Sequence, residues 1–118
     1  MDHIEIARVY DQVGEDPSGR FLADRLWPRG LAKVGAPFEY WAKDVSPSGA
    51  LRKWYGHADS RFDEFADRYR GELASPAGQA ALEDLRGRIA GRDVTLLTAT
   101  KELACSHLTV LAEVLAHP

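Results

Sequence analysis

Four cationic side chains stand in or beside polar stretches that interrupt an otherwise apolar pattern. The stretches are Asp24-Arg25-Leu26-Trp27-Pro28-Arg29-Gly30, Trp41-Ala42-Lys43-Asp44-Val45-Ser46-Pro47-Ser48 and Thr98-Ala99-Thr100-Lys101. Arg25, Arg29 and Lys43 lie within the first two, and Arg52 follows the second. Guanidinium and ammonium groups beside the free amides of a helix start suit phosphate or carboxylate, so these four form a candidate binding set for an anionic metabolite or a nucleotide-like compound. The same residues have a structural use, because Arg25 and Arg52 can pair with Asp24 or Asp44 to fix the turns. His57, just past Gly56, is the candidate acid/base group because imidazole titrates near neutrality, and a structural hydrogen bond is its other use. Trp27 and Trp41 can stack on a ring or fill the core, the commoner fate of large aromatics in a small domain.

Cys105 with His107 raises a thiol-nucleophile reading. Two residues two apart on one helix do not face each other, and no arginine follows at the spacing of a phosphatase loop, so Cys105 is expected to be a small buried side chain. His57, Asp59 and Asp63 have no recognised metal-ligand spacing, and no metal site is expected. Gly14, Gly19 and Gly30 match neither the phosphate-loop nor the dinucleotide pattern, so no nucleotide cofactor is indicated and any cofactor is unknown.

The elements that must position these groups follow from periodicity. Strands are expected over residues 4–9, 20–26 and 38–42, with Pro28 and Gly30 stopping the second. Ser46-Pro47 reads as a helix start and Gly56 as its end. Ser60 caps the next helix, whose Phe62, Phe65, Tyr69 and Leu73 make one buried stripe. Ser75-Pro76 starts a third helix ending at Gly91, Val94–Thr98 is a short apolar strand internal to a sheet, and Leu108, Leu111 and Leu115 mark a last helix. The order predicts a single α/β domain over residues 1–118 in three layers, with a mixed or mostly parallel sheet flanked by helices. If the strands run parallel, the three polar stretches meet beyond their carboxyl ends, where α/β sheets hold ligands.

The Asp24-to-Gly30 stretch, Trp41-Ala42-Lys43-Asp44, Pro47-Ser48, Leu51-Arg52-Lys53-Trp54-Tyr55-Gly56-His57 and Tyr69-Arg70-Gly71-Glu72-Leu73 together resemble the YeaO-like family, domain of unknown function 488. The likeness runs from about Val9 to Leu115 and implies a small bacterial α/β protein, with no activity attached to the family. Where such proteins often carry Asn-His near the last helix, this chain has Ser106-His107.

Composition bounds the partners. In 118 residues, 15 Lys plus Arg stand against 18 Asp plus Glu, a net charge of -3, which disfavours nucleic acid despite the basic stretch at 20–33. A lone cysteine and the lack of a long apolar run point to a cytoplasmic chain with no membrane partner. The leading expectation is a small enzyme or ligand-binding protein for an anionic compound. A non-catalytic nucleic-acid-binding or regulatory module is the alternative.

Overall fold

A computed structural model describes residues 3–56 and 58–117. Its centre is β4 (Val94–Thr98), which lies between β1 (Ile4–Arg8) and β2 (Arg20–Leu22), with β3 (Tyr40–Trp41) outside β2. All three pairings are parallel. In β4 the register sets Leu96 beside Ile6 and Phe21, and Leu97 beside Ala7 and Leu22. Because strand side chains alternate, Leu96 and Phe21 face one side of the sheet and Leu97 and Leu22 the other. The internal position expected for Val94–Thr98 is what the sheet shows.

Four helices pack on the Leu96 face: α1 (Gly49–Tyr55), α2 (Phe62–Ala74), α3 (Pro76–Ile89) and α4 (His107–Ala116). The stripe Phe65, Tyr69 and Leu73 is buried as its spacing predicts, and Tyr55 stacks on Phe65 at 4.2 Å between ring centres. Ser75 caps α3 by accepting the Gly78 amide, with Pro76 at the first helical position. Gly78 is required there: an added Cβ would stand 2.3 Å from the Glu72 carbonyl oxygen at the end of α2.

The single α/β domain and its parallel sheet match the expectation, but among the described residues the α-helices flank one face only. On the opposite face Val9, Leu22 and Leu97 are packed against by Leu31 and Phe38 from the β2–β3 loop and by Trp41 of β3, so that loop supplies most of the third layer. Side chains bonded to backbone hold that loop: Trp27 Nε1 donates to the Leu31 carbonyl at 2.8 Å, and the Tyr10 hydroxyl donates to the Arg29 carbonyl at 2.7 Å. Trp27 meets Phe38 and Trp41 with ring centres 5.3 and 5.5 Å apart, which settles both tryptophans as packing residues.

Several boundaries differ from the sequence expectation: β1 ends at Arg8 rather than Val9, β3 is Tyr40–Trp41 rather than 38–42, and three others have a visible cause. β2 ends at Leu22 rather than near 26, because the chain leaves the sheet once the Asp24 side chain turns to β4. α1 is capped by Ser48, not Ser46, since the Ser48 hydroxyl accepts the Leu51 amide at 3.1 Å while donating to Glu72 at 2.6 Å. A 3-10 turn, Asp59–Arg61, precedes α2, so Ser60 is not its cap.

Candidate functional site

Parallel pairing puts the residues after Leu22 beside those after Leu97, and the site grows from that adjacency. The Asp24 carboxylate takes the Thr98 hydroxyl on one oxygen and the Ala99 amide on the other, both at 2.7 Å, and so bolts the end of β2 to the end of β4. His107, the first residue of α4, brings Nε2 to 2.6 Å from the Ala23 carbonyl and 3.3 Å from Asp24. A carbonyl only accepts, so Nε2 carries the proton, leaving Nδ1 as the ring's remaining polar atom. Burial pushes the Asp24 carboxyl up, but the His107 hydrogen bond and charge, the Ala99 amide and the Thr98 hydroxyl outweigh it and hold the group below its ordinary value. Asp24 is therefore an ionised structural anchor at neutral pH.

Beside this anchor lies a cavity of about 230 Å³. Asp24, Ala99 and Thr100 form its strand side, Cys105, Ser106 and His107 come from the approach to α4 and its first residue, Pro47 from the turn before α1, and Arg52, Tyr55 and Phe65 from α1 and α2. A second cavity of about 270 Å³ shares Tyr55, Ala99, Thr100 and Cys105 with it, so the two adjoin as one cleft reaching Lys101. The location beyond the carboxyl ends of parallel strands is where this class of sheet holds ligands.

The structure does not gather the four sequence-nominated cations here. Arg52 lines the cleft and is exposed. Arg25 is committed elsewhere: its Nε donates to the Pro47 carbonyl at 3.0 Å and Nη2 to the Ser46 carbonyl at 3.1 Å, clamping the entry to α1. Its partners are thus carbonyls rather than Asp24 or Asp44. Lys43 lies 5.0 Å from the centre of the Trp41 ring, and Arg29 is exposed on the covering loop; neither lines the cleft. His57 lies outside the described residues.

Cys105 corrects the expectation of a buried side chain. It ends a short 3-10 helix, Leu103–Cys105, and an extended Ser106 separates it from α4, so the one-helix spacing argument does not apply. Cys105 is half-buried and reaches both cavities. Desolvation, then the Asp59 charge and hydrogen bond, then Glu102, push its thiol up, so it stays protonated at neutral pH. Among the described residues no group of three or more His, Cys, Asp or Glu could hold a metal ion.

Asp24 and His107 are the polar centre that sequence reasoning undervalued. The available signal was positional: Asp24 lies just past β2 and Thr98 ends β4, and a parallel β2–β4 pairing makes them neighbours.

The family model that matches residues 3–118 is described as the inactive DUF488-N3 subclade. The uncharacterized protein Rv3073c of Mycobacterium tuberculosis is 46% identical over 95% of this chain and 92% of its own length. The uncharacterized protein YeaO of Escherichia coli is 33% identical over 94% of this chain and 95% of its own length. No solved structure matches. A match across nearly the whole length, with relatives of the same size, places the chain in the YeaO-like DUF488 family.

Proposed function

We propose that the protein binds a small anionic, nucleotide-like compound in the cleft beyond β2 and β4 and does not transform it. One observation carries the reading: the cleft is lined by the exposed cation Arg52 and the His107 ring together with Tyr55 and Phe65. A guanidinium meets phosphate or carboxylate with two parallel hydrogen bonds, and the edges of the stacked Tyr55 and Phe65 rings give the cleft an apolar side. The amino end of α4, where the Ser106 hydroxyl donates to Leu103 instead of capping, adds partial positive charge at the same wall.

The polar groups that would do chemistry are otherwise engaged. Asp24 is ionised and saturated with donors, His107 Nε2 is tied to a carbonyl, and Cys105 is a protonated thiol. The description of the matching family model as an inactive subclade supports binding over turnover. Arg25, Arg29 and Lys43 belong to the fold and its surface in this reading, and His57 has no assigned part. A reducing, cytoplasmic setting suits the lone thiol.

The test is a thermal-shift screen with nucleoside monophosphates, nucleoside diphosphates and sugar phosphates. A ligand at about one hundred times its Kd adds roughly 2.7 kcal/mol of stability, a rise of about 10 °C for a chain of this size. Arg52→Ala should melt as the wild type does alone and lose that rise, and the ligand should be recovered unchanged after long incubation. A screen with no stabilising anion, or a ligand consumed, refutes the proposal.

A further inference from the structure

A further cavity has no part in the cleft. A groove of about 780 Å³ runs between the edge strand β3 and α3, a volume typical of small-molecule sites. One end holds Tyr40 and Asp84, joined by a hydroxyl–carboxylate contact of 3.4 Å. The other end holds Ser48 and Glu72, where the Glu72 carboxylate accepts the Ser48 amide at 2.8 Å and its hydroxyl at 2.6 Å. Ser75, the cap of α3 whose hydroxyl donates to the Glu72 carbonyl, and Asp84 are nine residues apart, a span of roughly 13 Å of helix. Between them the walls are small and apolar: Ala42 and Val45 on one side, Ala77 and Ala81 on the other.

Three carboxylates, Asp44, Glu72 and Asp84, line the groove against one guanidinium, that of Arg25, which is already donating to carbonyls. Asp84 shares its charge with Arg88, while Asp44 is exposed and has no hydrogen-bond partner among the described residues. A separate feature points to a missing ligand. Ser46 lines the groove, is only 6% exposed, and its hydroxyl is buried with no hydrogen-bond partner. Native folds seldom leave such a group unpaired, because its desolvation goes uncompensated.

We propose that this groove is a second binding site, for an aliphatic polyamine. Terminal ammonium groups match the carboxylates at the two ends, since each carboxylate keeps lone pairs beyond those its protein donors occupy. The methylene chain matches the alanine walls, and an amine N–H gives the Ser46 hydroxyl oxygen the donor it lacks. The inference is independent of the cleft, which shares no lining residue with the groove.

Isothermal titration of the full chain with spermidine at fixed ionic strength tests it. Wild type, Arg52→Ala and Glu83→Gln should show one saturable site of equal affinity, Glu83 being an exposed carboxylate of α3 outside the groove lining. Asp84→Asn, which removes a terminal charge, and Ala80→Leu, which fills the groove from an exposed position, should each bind about tenfold more weakly or worse. Ser46→Ala should weaken binding while leaving the melting temperature of the unliganded protein unchanged or higher, because it deletes an unpaired hydroxyl. No saturable binding to wild type overturns the proposal. Equal affinity in all variants, the signature of general attraction to an acidic chain, overturns it too.

Discussion

Replacing Asp24 with alanine removes the bolt between β2, β4 and α4. Two donors lose their acceptor, the Thr98 hydroxyl and the Ala99 amide, each 2.7 Å from the carboxylate, and His107 loses the charge at 3.3 Å. The pair is mostly shielded from water, with side-chain exposures of 15% for Asp24 and 11% for His107. A hydrogen bond to a charged group contributes about 1.5–3 kcal/mol, so two of them total roughly 3–6 kcal/mol. The adjoining cleft lets water reach the orphaned donors, which favours the lower part of that range, about 3–4 kcal/mol. For a chain of this length that lowers Tm by roughly 12–16 °C, a large share of the stability of a small domain. Asp24→Asn keeps one acceptor and loses the charge, and should cost about half as much. Asp44→Asn, exposed and without a hydrogen-bond partner among the described residues, should stay within about 0.5 kcal/mol of wild type.

Acidification gives the same comparison a sign. The Asp24 carboxyl is held below its ordinary value in the fold, so its contribution is complete above the unfolded value near pH 4 and is lost as pH falls through the lower native value. The stability gap between wild type and Asp24→Asn should be flat from neutral pH to about pH 5 and should close below about pH 4. Circular-dichroism melts and urea titrations across that range read it directly. An Asp24→Ala cost as small as that of Asp44→Asn, or a gap that widens in acid, refutes the structural role assigned to Asp24.

Gly78→Ala should destabilise by about 1–3 kcal/mol or more, since its Cβ meets the Glu72 carbonyl oxygen at 2.3 Å and only a backbone shift relieves it; a urea midpoint equal to wild type contradicts that packing. Arg25→Ala should lower stability by about 1.5–3 kcal/mol through the freed Ser46 and Pro47 carbonyls while leaving anion affinity in the cleft unchanged, as paired melting and binding measurements would show. Cys105 should alkylate slowly at neutral pH, and the rate profile with iodoacetamide should have its midpoint above that of a free thiol; a midpoint below it would mean an activated nucleophile.

The sequence exposed the parts of the fold governed by local periodicity. Val94–Thr98 reads as a buried strand from its unbroken branched and apolar run, and α2 from the spacing of Phe62, Phe65, Tyr69 and Leu73. Ser75-Pro76 marks α3 because cap and first-turn chemistry act within a few residues. What stayed hidden depends on distant partners. Ser48 takes the capping role because Glu72, on another helix, fixes both its amide and its hydroxyl. β2 stops early because Asp24 finds Thr98 and Ala99, and no local pattern encodes that pairing. The aromatic loop layer has no periodicity to reveal which sheet face it covers.

The candidate site was legible in place and less so in membership. The three polar stretches do follow strand ends, and the cleft opens there. Residue type alone could not separate a guanidinium that clamps carbonyls, as Arg25 does, from one that reaches a cavity, as Arg52 does. Cys105 and His107 line one cavity across a helix boundary at Ser106, which a continuous helix through 105–107 would not have.

A proton–nitrogen chemical-shift titration with the best anion from the screen tests the central claim most directly. Saturable perturbations concentrated on the amides of Ala99, Thr100, Ser106 and His107, absent in Arg52→Ala and accompanied by an unchanged ligand spectrum, are the predicted result. Perturbations centred on Arg29 and Lys43, persistence of the response in Arg52→Ala, or new ligand signals from turnover would contradict it.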